Sequence, residues 1–470
     1  MDAQSQQNTQ QGVSPAAQGE RDFPSGTLGA EERQTFATPS EGRALTQELM
    51  EQVVARDNLI LAYRKVKANK GAPGVDGMTV DQLREWAMTH AEVLIATLLD
   101  GSYRPQAVRG VQIPKPGGGV RQLGIPTVVD RLVQQAMLQV LEPRLDPTFS
   151  ESSYGFRPGR GAHDALRQAR QYVAEGRAIV VDVDLEKFFD RVNHDVLMAR
   201  LARRVGDKRF LRIVRRFLQA GLMQGNVDEE RREGTPQGGP LSPLLSNLLL
   251  DELDKELEKR GHKFCRYADD CNIYVRTAAA GERVMASVTR FLEGKLKLRV
   301  NREKSAVAPV VQRKFLGHRL WRGGGLGIAP KSIERFKDKV RKITRRNRGV
   351  KFTRVIEELN LLTRGWVNYF RHASAKGHVQ SLDEWIRRKL RCYRLKQCKR
   401  ASGIGRFLRA RGVGHDDAWK LAGSGRGWWH LSRTPATSWA MPIAWLESQG
   451  LTSMSRQYLE LQSAGNRRMR

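Results

Sequence analysis

Acidic residues occur twice where an apolar run stops. Val181-Asp182-Val183-Asp184-Leu185 ends a compact apolar stretch and leads into Phe188-Phe189-Asp190, and Arg266-Tyr267-Ala268-Asp269-Asp270-Cys271 sets two carboxylates side by side. Adjacent carboxylates repel, so a countercharge has to hold them together. Two divalent ions roughly 3.5 to 4 Å apart, bridged by such groups, would activate an attacking hydroxyl and stabilise the leaving oxygen of an in-line phosphoryl transfer. Magnesium suits the all-oxygen donor set. The competing reading of Asp269-Asp270 is an ordinary turn pair, since Asp is a common turn former. Asp182 shares a strand face with Asp184 and reads as a supporting residue, while Asp190 and Asp195 read as caps or bridges near the following helix.

Such groups need strands to carry them. Ala178 to Val183 predicts a buried strand, and Lys263 to Arg276 predicts two short strands hinged at Ala268-Asp269-Asp270. The β-branched residues between Val108 and Ile125 flank Pro114-Lys115-Pro116-Gly117-Gly118-Gly119, which predicts two strands joined by a Gly/Pro turn. Helical spacing runs over Leu45 to Lys67, stopping at Asn69-Lys70-Gly71, and again over Arg131 to Leu145 and Leu241 to Leu257. Helices and strands alternate irregularly, which points to an α+β fold and not to a doubly wound sheet. Residues 1–43 are rich in Gln, Ser, Gly and Pro, a composition that cannot repay the entropy of ordering, and read as a disordered arm. After Gly327 the chain turns into strongly basic amphipathic helices, with ten basic and two acidic residues between Lys331 and Lys351, and this shift marks a domain boundary. From Ala401 the chain carries Trp419, Trp428, Trp429, Trp439 and Trp445 among Gly and Arg and reads as a small folded appendage.

Composition narrows the partner. The 470 residues include 81 Lys and Arg against 50 Asp and Glu, a formal charge of +31, which favours polyphosphate over acidic or neutral partners. No apolar run reaches the roughly 18 residues needed to span a bilayer, so no membrane partner is expected. The N-terminus lacks a secretory pattern, and the expected location is cytoplasmic, with nucleoid association left open. Four cysteines are too few for a disulfide framework and fit a reducing compartment; Cys265, Cys271, Cys392 and Cys398 read as reduced thiols without a metal. His163 and His194 read as helix-entry or core residues, since neither pairs with a Ser or Cys in a hydrolase arrangement.

Tyr267-Ala268-Asp269-Asp270 resembles the Y-x-D-D box of reverse transcriptases, and Asp184 with Phe189 five residues on resembles their first palm motif. Asn69-Lys70-Gly71-Ala72-Pro73-Gly74-Val75-Asp76-Gly77 is similar to the N-terminal block of group II intron and related bacterial reverse transcriptases. Tyr154-Gly155-Phe156-Arg157-Pro158-Gly159-Arg160, Gly234-Thr235-Pro236-Gln237-Gly238-Gly239-Pro240-Leu241-Ser242-Pro243, Val300-Asn301-Arg302-Glu303-Lys304-Ser305 and Phe315-Leu316-Gly317-His318 follow in the family's order. The resemblance implies a right-hand polymerase, with fingers and palm over residues 44–327. It implies a metal-binding triad of Asp184, Asp269 and Asp270, with the Leu185 carbonyl as a candidate further ligand, for two Mg2+ ions. Phe189 falls at the family's steric gate against a 2′-hydroxyl, which argues for deoxynucleotides. Gln237 and Gly238 would let the backbone approach the incoming nucleotide. Lys115 and Arg121, six apart across a Gly turn, can face one triphosphate. Lys304 has two readings, a group near the leaving pyrophosphate or an ordinary solvated charge.

Beyond the palm, Val355, Leu359, Leu362, Trp366, Val367 and Phe370 recur at helical steps and read first as a core stripe. From Trp385 to Arg400, Arg387, Arg388, Lys389, Arg391, Arg394, Lys396, Lys399 and Arg400 come with no acid, a density that favours phosphate binding. Arg364-Gly365-Trp366-Val367-Asn368-Tyr369-Phe370 and Leu382-Asp383-Glu384-Trp385-Ile386-Arg387-Arg388 resemble the thumb and maturase domain of group II intron proteins, which implies such a domain over residues 328–400. It also implies intron RNA bound through Arg364, Arg371, Arg387, Arg388, Lys389, Arg391 and Arg394. The spacing of a metal-dependent endonuclease is absent after Ser402, and the segment 401–470 reads either as a DNA-binding appendage or as the completion of the thumb. The leading expectation is an RNA-directed DNA polymerase acting on an RNA template with a DNA primer, dNTPs and a target DNA, coupled to splicing and mobility of a group II intron. The alternatives are a host-adopted reverse transcriptase serving DNA repair or phage defence, and a non-catalytic RNA-binding splicing factor.

Overall fold

The computed structural model describes residues 48–114, 119–224, 227–229, 234 and 238–467; the predicted arm lies outside them. The chain divides into two compact units. The first holds the described residues up to Ala169 together with those of Ile179–Ala308, and the second holds Arg170–Ala178 with the described residues from Pro309 on. Among the described residues, no helix is long and apolar enough to cross a membrane.

The first unit carries β1 (Val108–Pro114), β2 (Val120–Ile125), β3 (Ile179–Val183), β4 (Leu222–Gln224), β5 (Val227–Glu229), β6 (Lys263–Tyr267), β7 (Asp270–Val275) and β8 (Ala306–Pro309). They form two four-stranded sheets, ordered β2-β1-β4-β5 and β6-β7-β3-β8. β1 and β2 are the predicted antiparallel hairpin, with Val111 opposite Leu123 and Pro114 opposite Val120. Parallel pairing of β1 with β4 through Val108 and Leu222 was not foreseen, because it joins residues far apart in the chain through a three-residue strand. The helix α1 (Val128–Leu145) starts three residues before its predicted start. There the Thr127 Oγ1 accepts from the Asp130 N–H at 3.1 Å, and the Asp130 carboxylate accepts from the Thr127 and Tyr103 hydroxyls, each at 2.7 Å. Burial pushes the Asp130 carboxyl up to about 6 despite those hydrogen bonds.

The predicted helical lead-in is two helices, Leu49–Val54 and Arg56–Ala68, separated at Ala55, whose ψ of 134° is extended. The Asp207 carboxylate caps the first of these helices at the end away from Ala55. It accepts the Leu49 and Met50 N–H groups at 3.0 Å and also those of Arg209 and Phe210, so one buried acid caps the first short helix and the helix Lys208–Gln219. The second short helix stops as predicted, with Lys70 at φ 46°. One continuous core runs from Leu49 to Val300 and includes Val181, Phe264 and Ile273 of the central sheet. β-Branched side chains suit this pleated, covered surface.

In the second unit, β9 (Lys314–Phe315), β10 (His318–Trp321) and β11 (Gly325–Ile328) form an antiparallel sheet. Helix Pro330–Ile343, α3 (Phe352–Phe370), α4 (Lys376–Gln397) and the shorter helices up to Arg467 follow. Val355, Leu359, Val367 and Phe370 are buried, and Leu362 and Trp366 pack against the same core. Trp366 lies 4.7 Å from the Phe336 ring and 4.8 Å from Phe370, so the predicted stripe is a core stripe. The segment after Ala401 shares this core. Trp445 is buried and stacks on Phe352 at 5.7 Å.

One charged pair lies at the centre of the first unit. Arg266, in β6 beside the buried Phe264 and Cys265, has a side chain with 0% exposure, as does Asp254 of α2 (Ser242–Lys259). The guanidinium Nε donates to both Asp254 oxygens at 2.8 and 3.0 Å, and Nη2 donates to Oδ2 at 2.6 Å. Its remaining donors reach Asn247 Oδ1 at 2.9 Å, the Ala268 carbonyl at 3.0 Å and Ser153 Oγ at 2.8 Å. Burial pushes the Asp254 carboxyl above the ordinary range against the pull of Arg266. Removing one member of such a pair strands a buried charge, so Arg266→Met is expected to lower stability by about 3–5 kcal/mol in chemical denaturation. Arg266→Met with Asp254→Leu is expected to recover most of that loss. A single-variant loss within the roughly 1 kcal/mol of a surface pair would contradict this.

Candidate active site

The register of the central sheet joins the two acidic segments. Val183 ends β3 opposite Cys271 of β7, so the next residue, Asp184, comes level with the strand start at Asp270. Tyr267 pairs with Asp270, leaving Ala268-Asp269 as a two-residue turn between β6 and β7. Ala268 sits at φ 57°, a left-handed conformation that is strained for a non-glycine residue. The Arg266 guanidinium grips its carbonyl. On the other side Gly155 lies so close that a Cβ there would stand 2.3 Å from the Ala268 nitrogen, so only glycine fits. Asn247 donates to the Gly155 carbonyl at 2.8 Å and accepts from Arg266, tying the two segments to one helix.

Asp184 is anchored through its backbone. Its N–H donates to Ser305 Oγ at 2.9 Å, and its carbonyl accepts from the Asn301 N–H at 2.9 Å. Leu185 faces Val300 in an isolated bridge, whose bonds use the Asp184 carbonyl and the Glu186 N–H and leave the Leu185 carbonyl out of the bridge. Lys304 Nζ stands 3.8 Å from Asp184 Oδ1. Asp184 and Asp269 are half-exposed and Asp270 is exposed, whereas Asp182 is held within the sheet opposite Asn272. Among the described residues, no three His, Cys, Asp or Glu side chains converge to enclose a metal by themselves. Hard divalent ions are often held by one or two carboxylates together with substrate phosphates and water, not by an all-protein cage. Three hard oxygen donors at one sheet edge therefore fit divalent ions.

Phe189 lies just beyond, in the turn Phe188–Asp190, its half-buried ring edge-on to the buried Phe188 at 5.1 Å. Gly234 supports this turn. A Cβ there would stand 2.8 Å from the Asp190 carbonyl oxygen and 2.9 Å from that of Phe189, and its N–H donates to Val192 O at 2.8 Å. His194, buried at the start of helix His194–Ala202, hydrogen-bonds the Gly234 carbonyl at 2.6 Å, the helix-entry role expected of it. At the far end of the same loop, Gly238 has φ 133° and lies against the Gly124 carbonyl of β2, where a Cβ would come within 2.6 Å. Gln237 and Lys115 lie outside the described residues, and Arg121 takes its place in β2 opposite Ile113.

The basic residues of the second unit divide into two groups. Arg387 pairs with the buried Asp383 at 3.1 Å, and Arg391 Nε donates to the Met441 carbonyl at 3.0 Å, so both tie α4 to neighbouring chain. Arg388 and Lys389 lie over the Trp429 ring, Arg394 lies 4.7 Å over Phe407, Arg371 bonds His372 at 3.1 Å, and Arg364 is exposed. Sequence reading missed Arg266, Asp254 and Asn247. A lone arginine inside Phe264-Cys265-Arg266-Tyr267 was the available signal, since a charge in a buried strand needs a buried partner.

Comparison with known proteins agrees with this architecture. Residues 113–320 match the family described as reverse transcriptase (RNA-dependent DNA polymerase), and residues 333–412 match the group II intron, maturase-specific domain. Protein YkfC of Escherichia coli K12 is 36% identical over 59% of this chain and 83% of its own length. The group II intron-encoded protein LtrA of Lactococcus lactis subsp. cremoris is 34% identical over 47% of this chain, which spans 38% of LtrA. A putative COX1/OXI3 intron 2 protein of Saccharomyces cerevisiae is 33% identical over 43% of this chain and 24% of its own length. With both matches in order along one chain, and a relative matched over most of its length, the chain belongs to the reverse transcriptases that carry a group II intron maturase domain.

Proposed function

We propose that Asp184, Asp269 and Asp270 are the catalytic carboxylates of this RNA-directed DNA polymerase and hold two Mg2+ ions, with the Leu185 carbonyl as a further ligand. The observation that carries this reading is the register that sets Asp184 level with the Asp269-Asp270 turn. Bound there, the ions would supply Lewis-acid activation of a primer 3′-hydroxyl and charge neutralisation at the α-phosphate of a dNTP. The chain's own residues then bind and orient. Lys115 and Arg121, carried by the β1/β2 hairpin, grip the triphosphate, Arg121 as a planar fork and Lys115 as a point charge. Gln237 and Gly238 line the nucleotide from the loop that leaves Gly234. Lys304, beside Asp184, faces the departing pyrophosphate and can protonate it. The Phe189 ring fills the space a 2′-hydroxyl would need, so the sugar is read by sterics.

The second unit binds the parent group II intron RNA and supports its splicing and mobility, through Arg364, Arg371, Arg388, Lys389 and Arg394. Arg387 and Arg391 support that face by holding α4 in place. The polymerase unit takes an RNA template with its DNA primer, and target DNA is the further partner.

Asp269→Ala is expected to lower dNTP incorporation on a primed RNA template by more than about 100-fold while RNA affinity is retained. Synthesis at the wild-type rate would remove Asp269 from the chemistry. Phe189→Ala is expected to raise ribonucleotide use relative to deoxynucleotide by roughly tenfold or more in single-nucleotide extension; unchanged selectivity would end the steric assignment.

A further inference from the structure

Beyond residue 412, where the match to the maturase-specific domain ends, the chain comes back to α4. The short helix Trp428–Leu431 presents Trp429, whose carbonyl accepts from Arg388 Nη2 at 2.9 Å and whose ring lies 3.7 Å from the Arg388 guanidinium and 4.8 Å from Lys389 Nζ. Lys389 is also 5.5 Å from Trp385, and Lys396 is 5.5 Å from the Trp428 ring. Among the described residues, none of these three cations has a carboxylate partner. Further positive charge surrounds them. Arg433 opposes the charge on Arg388, and Arg341 and Arg346 oppose that on Lys389, which burial already holds below its usual value.

Like charges gathered on a partly buried face are unfavourable unless an anion joins them. An indole face attracts a cation by roughly 0.5–2 kcal/mol, enough to fix a rotamer without neutralising the charge. The indoles therefore orient Arg388, Lys389 and Lys396 without supplying a countercharge. The distance along α4 from Arg388 to Lys396 is about 12 Å, long enough to touch more than one phosphate. Stacking a base on Trp429 would have to displace Arg388 from the ring. The cations hold the aromatic faces, and the phosphodiester backbone is the chemistry left to be read.

We propose that Trp428 and Trp429 complete, with Arg388, Lys389 and Lys396, a site for the phosphate backbone of base-paired RNA, in which the indoles hold the cations and do not stack on bases. This rests on reading α4 as an RNA-binding helix. The test is fluorescence anisotropy of the full chain with a mixed-sequence RNA duplex, the DNA duplex of the same sequence and single-stranded oligouridylate, each across a range of salt. Trp429→Leu is expected to weaken RNA-duplex binding about fivefold and to shallow its salt dependence, with oligouridylate binding unchanged and Trp429→Phe close to wild type. Lys396→Gln, an exposed change away from the core, is expected to reduce the salt slope by roughly one. Unchanged duplex affinity and slope in Trp429→Leu overturns the proposal. A loss confined to oligouridylate overturns it in favour of base stacking, and equal loss on the DNA duplex overturns the assignment to RNA. If the double change Arg388→Gln and Lys389→Gln leaves RNA binding intact, the reading of α4 falls as well; if that change weakens binding while Trp429→Leu is silent, only the composite site falls.

Discussion

A guanidinium with no access to solvent fixes the polymerase unit. Arg266 can stay charged inside the core only because Asp254 accepts from it twice over and because Asn247, Ser153 and the Ala268 carbonyl take its remaining donors. Such a pair adds little net stability compared with apolar packing, since desolvation consumes much of the attraction. Its effect is to tolerate one arrangement. Helix Ser242–Lys259, the Ser153-Tyr154-Gly155 segment and the Ala268 turn must all stand where the guanidinium can reach them. The left-handed Ala268 is held from one side by that arginine and limited from the other by Gly155.

From this turn the rest of the candidate site follows by register. β7 carries Asp270 level with Asp184, the Asn301 to Ser305 turn grips the Asp184 backbone, Gly234 closes on the Phe189 turn and Gly238 lies against the Gly124 carbonyl of β2. Segments scattered between Val108 and Ser305 thus meet through backbone contacts, which explains why glycines stand at the closest approaches. The carboxylates are left at a sheet edge with solvent access.

Much of this was legible in the sequence where the signal is local. The apolar strand ending at Asp184, the turn in Tyr267-Ala268-Asp269-Asp270 and the strands on either side of the Gly/Pro segment after Pro114 each stand in a few consecutive residues, and each described element is found where it was expected. The capping of the Leu49 helix by Asp207 was not legible, because the two lie more than 150 residues apart. The parallel pairing of β1 with β4 was hidden for the same reason. Arg387 and Arg391 looked like free phosphate binders because their partners are a buried Asp383 one turn back and a carbonyl at Met441. The Trp-rich segment gave no periodic signal, yet Trp445 enters the core and Trp429 meets α4. Side chains that serve structure and side chains that meet a ligand have the same letters, and only their partners separate them.

The most direct measurement is extension of a DNA primer on a defined RNA template by the purified chain, with dNTPs and with magnesium or a chelator present. The account predicts templated DNA synthesis with Mg2+ that stops on chelation while the template–primer stays bound. Tight binding of the same template–primer with no extension in Mg2+ would contradict it.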